Sequence, residues 1–218
     1  RLGHRPALDG VRGLAFLMVL LGHAGWPGPH KAHEFGVELF FVLSGLLITG
    51  VMLGERAGTG SIRLGQFYIR RARRLLPALF AMLAVLAVAG WLGFERWRAT
   101  DAGLLGGLTY TTNFLKISGY DVGNLEHLWS LAVEEHFYFV WPVVLLLAAG
   151  RDPRVRSRAV LMVIVVLVLC SYAWREYLVF GISGTPADRL FPATELRASS
   201  PLVGAALAVI LAWRRPRL

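Results

Sequence analysis

Six apolar runs divide this chain, at about residues 10–26, 35–53, 75–94, 127–149, 159–179 and 195–213. A helix rises about 1.5 Å per residue, so each run is long enough, or nearly so, to cross about 30 Å of hydrocarbon. Inside a bilayer every backbone N–H and C=O needs a partner within the protein, and a helix supplies one to each. The chain therefore reads as an all-α, polytopic transmembrane helix bundle of about six spans, one membrane domain over residues 1–218. A seventh stretch, Asp101–Leu115, is short and rich in Gly and Thr, and is expected to form a re-entrant or interfacial helix. No internal repeat and no low-complexity linker interrupts the pattern. The first run keeps Arg12 and His23 and has no convincing small-x-small cleavage site, so it reads as a retained span.

Charge tests this topology. With the N-terminus in the cytoplasm, the inner segments carry 16 of the 23 Lys and Arg residues and the outer segments 7. That asymmetry supports six spans with both termini inside, in a multi-pass protein of the cell membrane. A net charge of +9 would suggest nucleic acid as the partner of a soluble chain. Here the arginines stand at span ends, and a nucleic-acid role is not expected. The single Cys170 lies in an apolar run, which excludes an intrachain disulfide.

Ionisable groups inside apolar runs are costly and mark function. In the first run Arg12 and His23 are eleven residues apart, which returns a helix to within roughly 20° of the same face and separates them by about 16 Å. Arg12, near the inner end, either snorkels or lines a path. His23, near the outer end, is an interfacial histidine or a proton acceptor suited to neutral pH. In the second run Glu38 stands near the outer end, and the Ser44–Gly45 pair permits close helix approach. Four arginines, Arg70, Arg71, Arg73 and Arg74, precede the third run; they anchor it against anionic lipid or clamp phosphate groups. The fourth run opens with His127 and Trp129 and carries Glu134, Glu135 and His136 in an apolar and aromatic setting. Glu134 and Glu135 point about 100° apart on a helix and cannot both aim at one site. Trp129, Tyr138 and Trp141 serve as interface anchors or in packing. Glu195 and Arg197 form either a polar rim or a substrate contact at the start of the sixth run.

These stretches together resemble the membrane acyltransferase-3 family of bacterial integral membrane O-acyltransferases. LDGVRGLAFLMVLLGH is similar to its arginine–ten residues–histidine helix, on Arg12 and His23. GVELFFVLSGLLIT is similar to its second helix, with Glu38 where Asp is more usual. FYIRRARRLLP resembles its FYxRRxxRxxP signature, and HLWSLAVEEHFYFVWP its H-x-WSL-x-VE-x-QFY-x-x-WP motif, through His127, Trp129, Ser130, Glu134, Phe137, Tyr138, Trp141 and Pro142, with His136 in place of Gln. RASSPLVGAALA is a looser match through Arg197 and Gly204. The likeness runs from about Leu8 to Ala208.

The resemblance implies transfer of an acyl group, commonly acetyl, from a cytoplasmic acyl-CoA to a hydroxyl of an envelope or other carbohydrate. His23 is then expected to be the general base, or a transient acyl carrier, with Glu134 or Glu135 orienting it. Arg70, Arg71 and Arg74 would bind the donor's phosphates, and Arg12 the donor or its thioester end. Glu38, His127, Trp129 and Arg197 are the expected substrate contacts. No metal and no tightly bound cofactor is expected; acetyl-CoA or another acyl-CoA is a substrate. Members of the family commonly carry more helices than the six or seven read here, so missing C-terminal helices or a partner subunit are also expected. Two other classes stay open: a partner-dependent or inactive fragment, and a small-molecule transporter, for which the inverted repeat is missing.

Overall fold

The structure is a computed structural model, and it describes residues 6–25, 32–94, 97, 99–148, 153–181 and 191–214. Among these residues the chain is helical and has no strand. The helices are α1 (Pro6–His23), α2 (Ala32–Thr59), α3 (Leu64–Trp91), α4 (Asp101–Thr109), α5 (Thr112–Ile117), α6 (Leu128–Leu147), α7 (Pro153–Glu176), α8 (Thr194–Arg197) and α9 (Ser199–Arg214). A π turn, Tyr177–Gly181, extends α7. Six stretches are long and apolar enough to cross a membrane: α1, α2, α3, α6, Ser157–Gly181, and Thr194–Trp213 across α8 and α9.

The third span departs from the apolar-run reading. It starts at Leu64, so the arginine cluster lies within α3 rather than ahead of it. Arginine is a good helix former, and nothing in FYIRRARRLL interrupts the backbone ladder. The Asp101–Leu115 stretch is two short helices rather than one. Tyr110, between them, adopts the left-handed conformation at φ 55° and donates its N–H to Gly106, which ends α4. That conformation costs a non-glycine residue about 1–2 kcal/mol. The Thr100 hydroxyl caps the other end of α4, accepting from Gly103 N–H at 3.0 Å and donating to the Asp121 carbonyl at 2.7 Å.

The chain divides into two compact units. The first comprises Arg1–Ile62, Trp141–Cys170 and Ala198–Leu218. In it α2 packs against α1 on one side and α9 on the other. The α2–α9 contact is set by two glycines. A Cβ on Gly45 would stand 1.8 Å from the Pro201 carbonyl oxygen, and one on Gly204 would stand 1.8 Å from that of Val42. Lipid tails are as apolar as Leu, so helices in a bilayer gain little by hiding Leu from them; close backbone approach and buried polar links hold them instead. Here Trp141 donates its indole N–H to the Thr49 hydroxyl at 2.8 Å, with both side chains buried. The Ser200 hydroxyl donates to Glu38. On α1 only Ala15 is buried, which leaves Leu14, Phe16, Leu17 and Leu20 facing outward.

The second unit comprises Arg63–Val140 and Ser171–Arg197. Its apolar centre is Leu79, Leu83 and Leu86 of α3, spaced one turn apart, with Leu125 and Leu128. Tyr110, Leu104 and Leu131 pack around them. Two links between α3 and α6 run in opposite senses, Tyr68 with Phe139 and Arg71 with Glu135, so these helices are antiparallel. The Tyr68 hydroxyl donates to the Phe139 carbonyl at 2.9 Å. Pro142, inside α6, has no N–H to donate to the Tyr138 carbonyl four residues back.

Candidate functional site

In the second unit one arginine of the cluster turns inward and three do not. Arg70, Arg73 and Arg74 are exposed, on the side of α3 away from Leu79, Leu83 and Leu86. Arg71, about 100° round from Arg70, is half-buried and meets α6. Its Nε donates to both oxygens of Glu135, at 3.1 and 3.0 Å, and its Nη2 donates to Oε1. The guanidinium carbon also stands 3.3 Å from the centroid of the Tyr138 ring. The Tyr138 hydroxyl in turn donates to Glu134 Oε1 at 2.8 Å.

Tyr138 thus joins the two carboxylates that cannot share a direction. It follows Glu135 by three residues and Glu134 by four, the two spacings that bring helix side chains together. Its ring face receives the cation held by Glu135, and its hydroxyl reaches Glu134. A guanidinium over an aromatic face, tied in a fork to a carboxylate, has little freedom left. The sequence marks Tyr138 only as an anchor or packing residue; the i+3 and i+4 spacing was the available signal. Arg71 itself lies about 10 Å along α3 from Leu64, and Glu135 about 10 Å along α6 from Leu128, at 1.5 Å per residue.

Tyr110, outside the spans, feels this pair. Its phenol is raised above the usual value of 10.0, first by burial and then by the negative charge of Glu135, with Arg71 acting in the opposite sense. His136, beside Glu135, makes a separate polar link. Its Nδ1 is 2.9 Å from the Thr194 hydroxyl, which also accepts from Asn113 Nδ2 at 2.8 Å. A hydrogen bond to the Tyr110 backbone and a stack on Phe114, centroids 5.2 Å apart, complete its surroundings.

Trp129 and Arg197 also meet. The Arg197 guanidinium lies 5.7 Å from the Trp129 ring and 4.3 Å from the Phe191 ring. Its Nε donates to the Phe191 carbonyl at 2.7 Å. Phe191 packs edge-on against Trp129 at 4.9 Å. Phe191 lies outside every apolar run, and nothing in its sequence context singles it out. His127 is exposed, with Nδ1 3.0 Å from the Asn124 carbonyl.

In the first unit Arg12 is partly exposed on α1, and His23 is exposed at its end. His23 Nδ1 lies 2.8 Å from the carbonyl of Val19, one turn back. A carbonyl can only accept, so Nδ1 carries the proton and the lone pair of the neutral ring sits on Nε2. The His33 ring stands edge-to-face against it, centroids 5.8 Å apart and planes at 74°. Glu38 lies on the α9 side of α2, where Ser200 donates to it. Among the described residues no three His, Cys, Asp or Glu side chains gather as a metal site.

The family model described as an acyltransferase domain, that of the acyltransferase-3 family, matches residues 5–218. Over 221 residues the chain is 34% identical to the peptidoglycan O-acetyltransferase OatA of Listeria monocytogenes, an alignment covering 96% of this chain and 34% of that protein. It is 34% identical over 225 residues to the putative peptidoglycan O-acetyltransferase YrhL of Bacillus subtilis, covering 98% of this chain and 34% of that one. A putative O-acetyltransferase of Staphylococcus aureus is 36% identical over 155 residues, which are 66% of this chain and 25% of that protein. The chain spans about a third of the length of the first two relatives. No solved structure matches.

Proposed function

The chain belongs to the acyltransferase-3 family, and from that membership we propose that it is a membrane O-acyltransferase moving an acetyl group to a hydroxyl of a cell-wall glycan. Relatives named as peptidoglycan O-acetyltransferases support the acceptor class. Six helices of spanning length make it a multi-pass membrane protein. The excess of Arg and Lys on alternate loops supports a cytoplasmic N-terminus.

The observation that carries the chemistry is the pinned ring of His23. With Nδ1–H spent on the Val19 carbonyl, Nε2 is the nitrogen left to accept a proton, and the ring is exposed. Nε2 takes the proton of the acceptor hydroxyl as its oxygen bonds to the acyl carbon of a thioester donor. The carbon–sulfur bond breaks, and the proton passes to the departing thiolate. The donor proposed is an acyl-CoA. Its phosphates fit the exposed Arg70 and Arg74, which stand four residues apart on one helix face. Arg71, engaged with Glu135 and Tyr138, holds that part of α3 against α6. Arg12 is assigned to the donor or its thioester end, and Glu38, His127, Trp129 and Arg197 to the acceptor.

The test is transfer of radiolabelled acetyl to glycan oligomers by the full-length protein in proteoliposomes. His23→Ala is expected to lower kcat by about 10²–10⁴-fold, the usual worth of a general base. Arg70→Ala/Arg74→Ala is expected to raise KM for acetyl-CoA at least tenfold with kcat little changed. Full transfer by His23→Ala would overturn the base assignment. An unchanged KM for acetyl-CoA in the arginine variant would overturn the donor assignment.

A further inference from the structure

The face of α1 that carries Arg12 and His23 is the face that packs on α2. Arg12, Ala15, Val19 and His23 follow one another at helical spacings of three, four and four. Ala15 is fully buried. A Cβ on Gly36 of α2 would lie 2.7 Å from the Ala15 carbonyl oxygen and 2.8 Å from Val19 Cγ2, so the helices touch backbone to backbone there. One turn before Gly36 on α2 comes His33. A Cβ on Gly22 would stand 2.6 Å from His33 Cβ and 3.3 Å from its Nδ1. The bare Gly22 is therefore the seat of the His33 ring, and that seat sets it edge-to-face with His23.

We propose that His33 is a positioning residue for His23. Two contacts then define the His23 ring. The Val19 carbonyl fixes its tautomer and one edge, and the partly buried His33 ring backs it from α2. Together they hold Nε2 in one direction. Edge-to-face rings are favourable because the positive rim of one meets the negative face of the other, and the contact strengthens when one ring becomes a cation. His33 thus supports His23 both before and after it takes the proton. His33 falls before the second apolar run, in a stretch to which no sequence motif draws attention.

This inference rests on the reading of His23 as the base, and the experiment separates the two. Kinetics of acetyl transfer are measured for His33→Ala, His33→Gln, His33→Phe and Gly22→Ala in the full-length protein. Misplacing a reacting group by about 1 Å costs on the order of 10²-fold. His33→Ala and His33→Gln are expected to lower kcat by about ten- to a hundredfold with both KM values unchanged, and His33→Phe, which keeps a ring, to recover to within about threefold of wild type. Gly22→Ala, which displaces the ring from its seat, is expected to match His33→Ala, with no further loss when the two are combined. Nitrogen-15 histidine spectra give a readout apart from turnover: the His23 ring signals are expected to keep the Nδ1–H tautomer but to move and broaden as the ring loses its backing in His33→Ala, and to stay near wild-type in His33→Phe. Should His33→Ala fail to fold, the Gln and Phe pair carries the test. Wild-type kcat in His33→Gln, or a Phe variant as impaired as Gln, would overturn the role of His33. A His23→Ala enzyme that still turns over would instead overturn the base reading beneath it.

Discussion

The pair formed by Arg71 and Glu135 allows a quantitative test by a double-substitution cycle. Their side chains retain only 20% and 16% of their exposure, so each is largely removed from water. Deleting one member of a buried pair strands the other charge, at about 3–5 kcal/mol. The residual exposure places Glu135→Ala near the lower end, about 3 kcal/mol. Arg71→Ala also loses its stack on Tyr138, worth about 1–2 kcal/mol, so about 4 kcal/mol is expected. The double variant strands neither charge, and its cost is expected to fall short of the sum of the singles by about 2–3 kcal/mol. The measurement is reversible unfolding in mixed detergent and dodecyl sulfate micelles, followed by tryptophan fluorescence. Tyr138→Phe is an internal control, keeping the ring beneath Arg71 while removing the hydroxyl that bonds Glu134, about 1.5–3 kcal/mol. Additive costs, with a coupling below about 0.5 kcal/mol, would refute the pairing.

Two further outcomes follow from other parts of the fold. Gly204→Ala sets a methyl group against the Val42 carbonyl oxygen and is expected to destabilise by the upper end of about 1–3 kcal/mol, or more. Gly54→Ala, on α2 with nothing within 4 Å, is expected to stabilise by about 0.5–1 kcal/mol, and equal effects of the two in the same unfolding assay would contradict the packing described. Tyr110 keeps its proton in the folded protein above the pH at which the unfolded chain loses it. Its contribution to stability is whole below about pH 10 and is lost as pH rises through the raised folded value. The phenolate absorbance that disappears in Tyr110→Phe is expected to have its midpoint above 10; a midpoint at or below 10 would remove the stated effect of burial and of Glu135.

The spans were legible in the sequence because a bilayer imposes a length on an apolar helix that few other settings do. The common face of Arg12 and His23 was legible for a related reason, since it needs only the helical period. Hydropathy misplaced the start of α3, because arginine lowers the apolar score of a stretch without lowering its capacity to be helical. It also could not divide Asp101–Leu115, where the break depends on one residue, Tyr110, accepting a left-handed conformation. Pairings were least legible. Arg71 and Glu135 are 64 residues apart, and which of four arginines turns inward depends on the rotation of α3 against α6. His33 stayed out of sight because its partner is decided by the bare surface of Gly22.

The crossing of α2 and α9 has a consequence for genetics. A side chain introduced at Gly45 or Gly204 meets a main-chain carbonyl, not another side chain. Every residue type carries that oxygen in the same place, so no substitution at Pro201 or Val42 can make it smaller. Ordinary size-switch suppressors, in which a neighbour shrinks to admit a larger group, are therefore closed to these two sites. A suppressor screen begun from Gly45→Val should return reversion to a small residue, or changes elsewhere that raise stability in general, and none in the facing helix that is specific to the lesion.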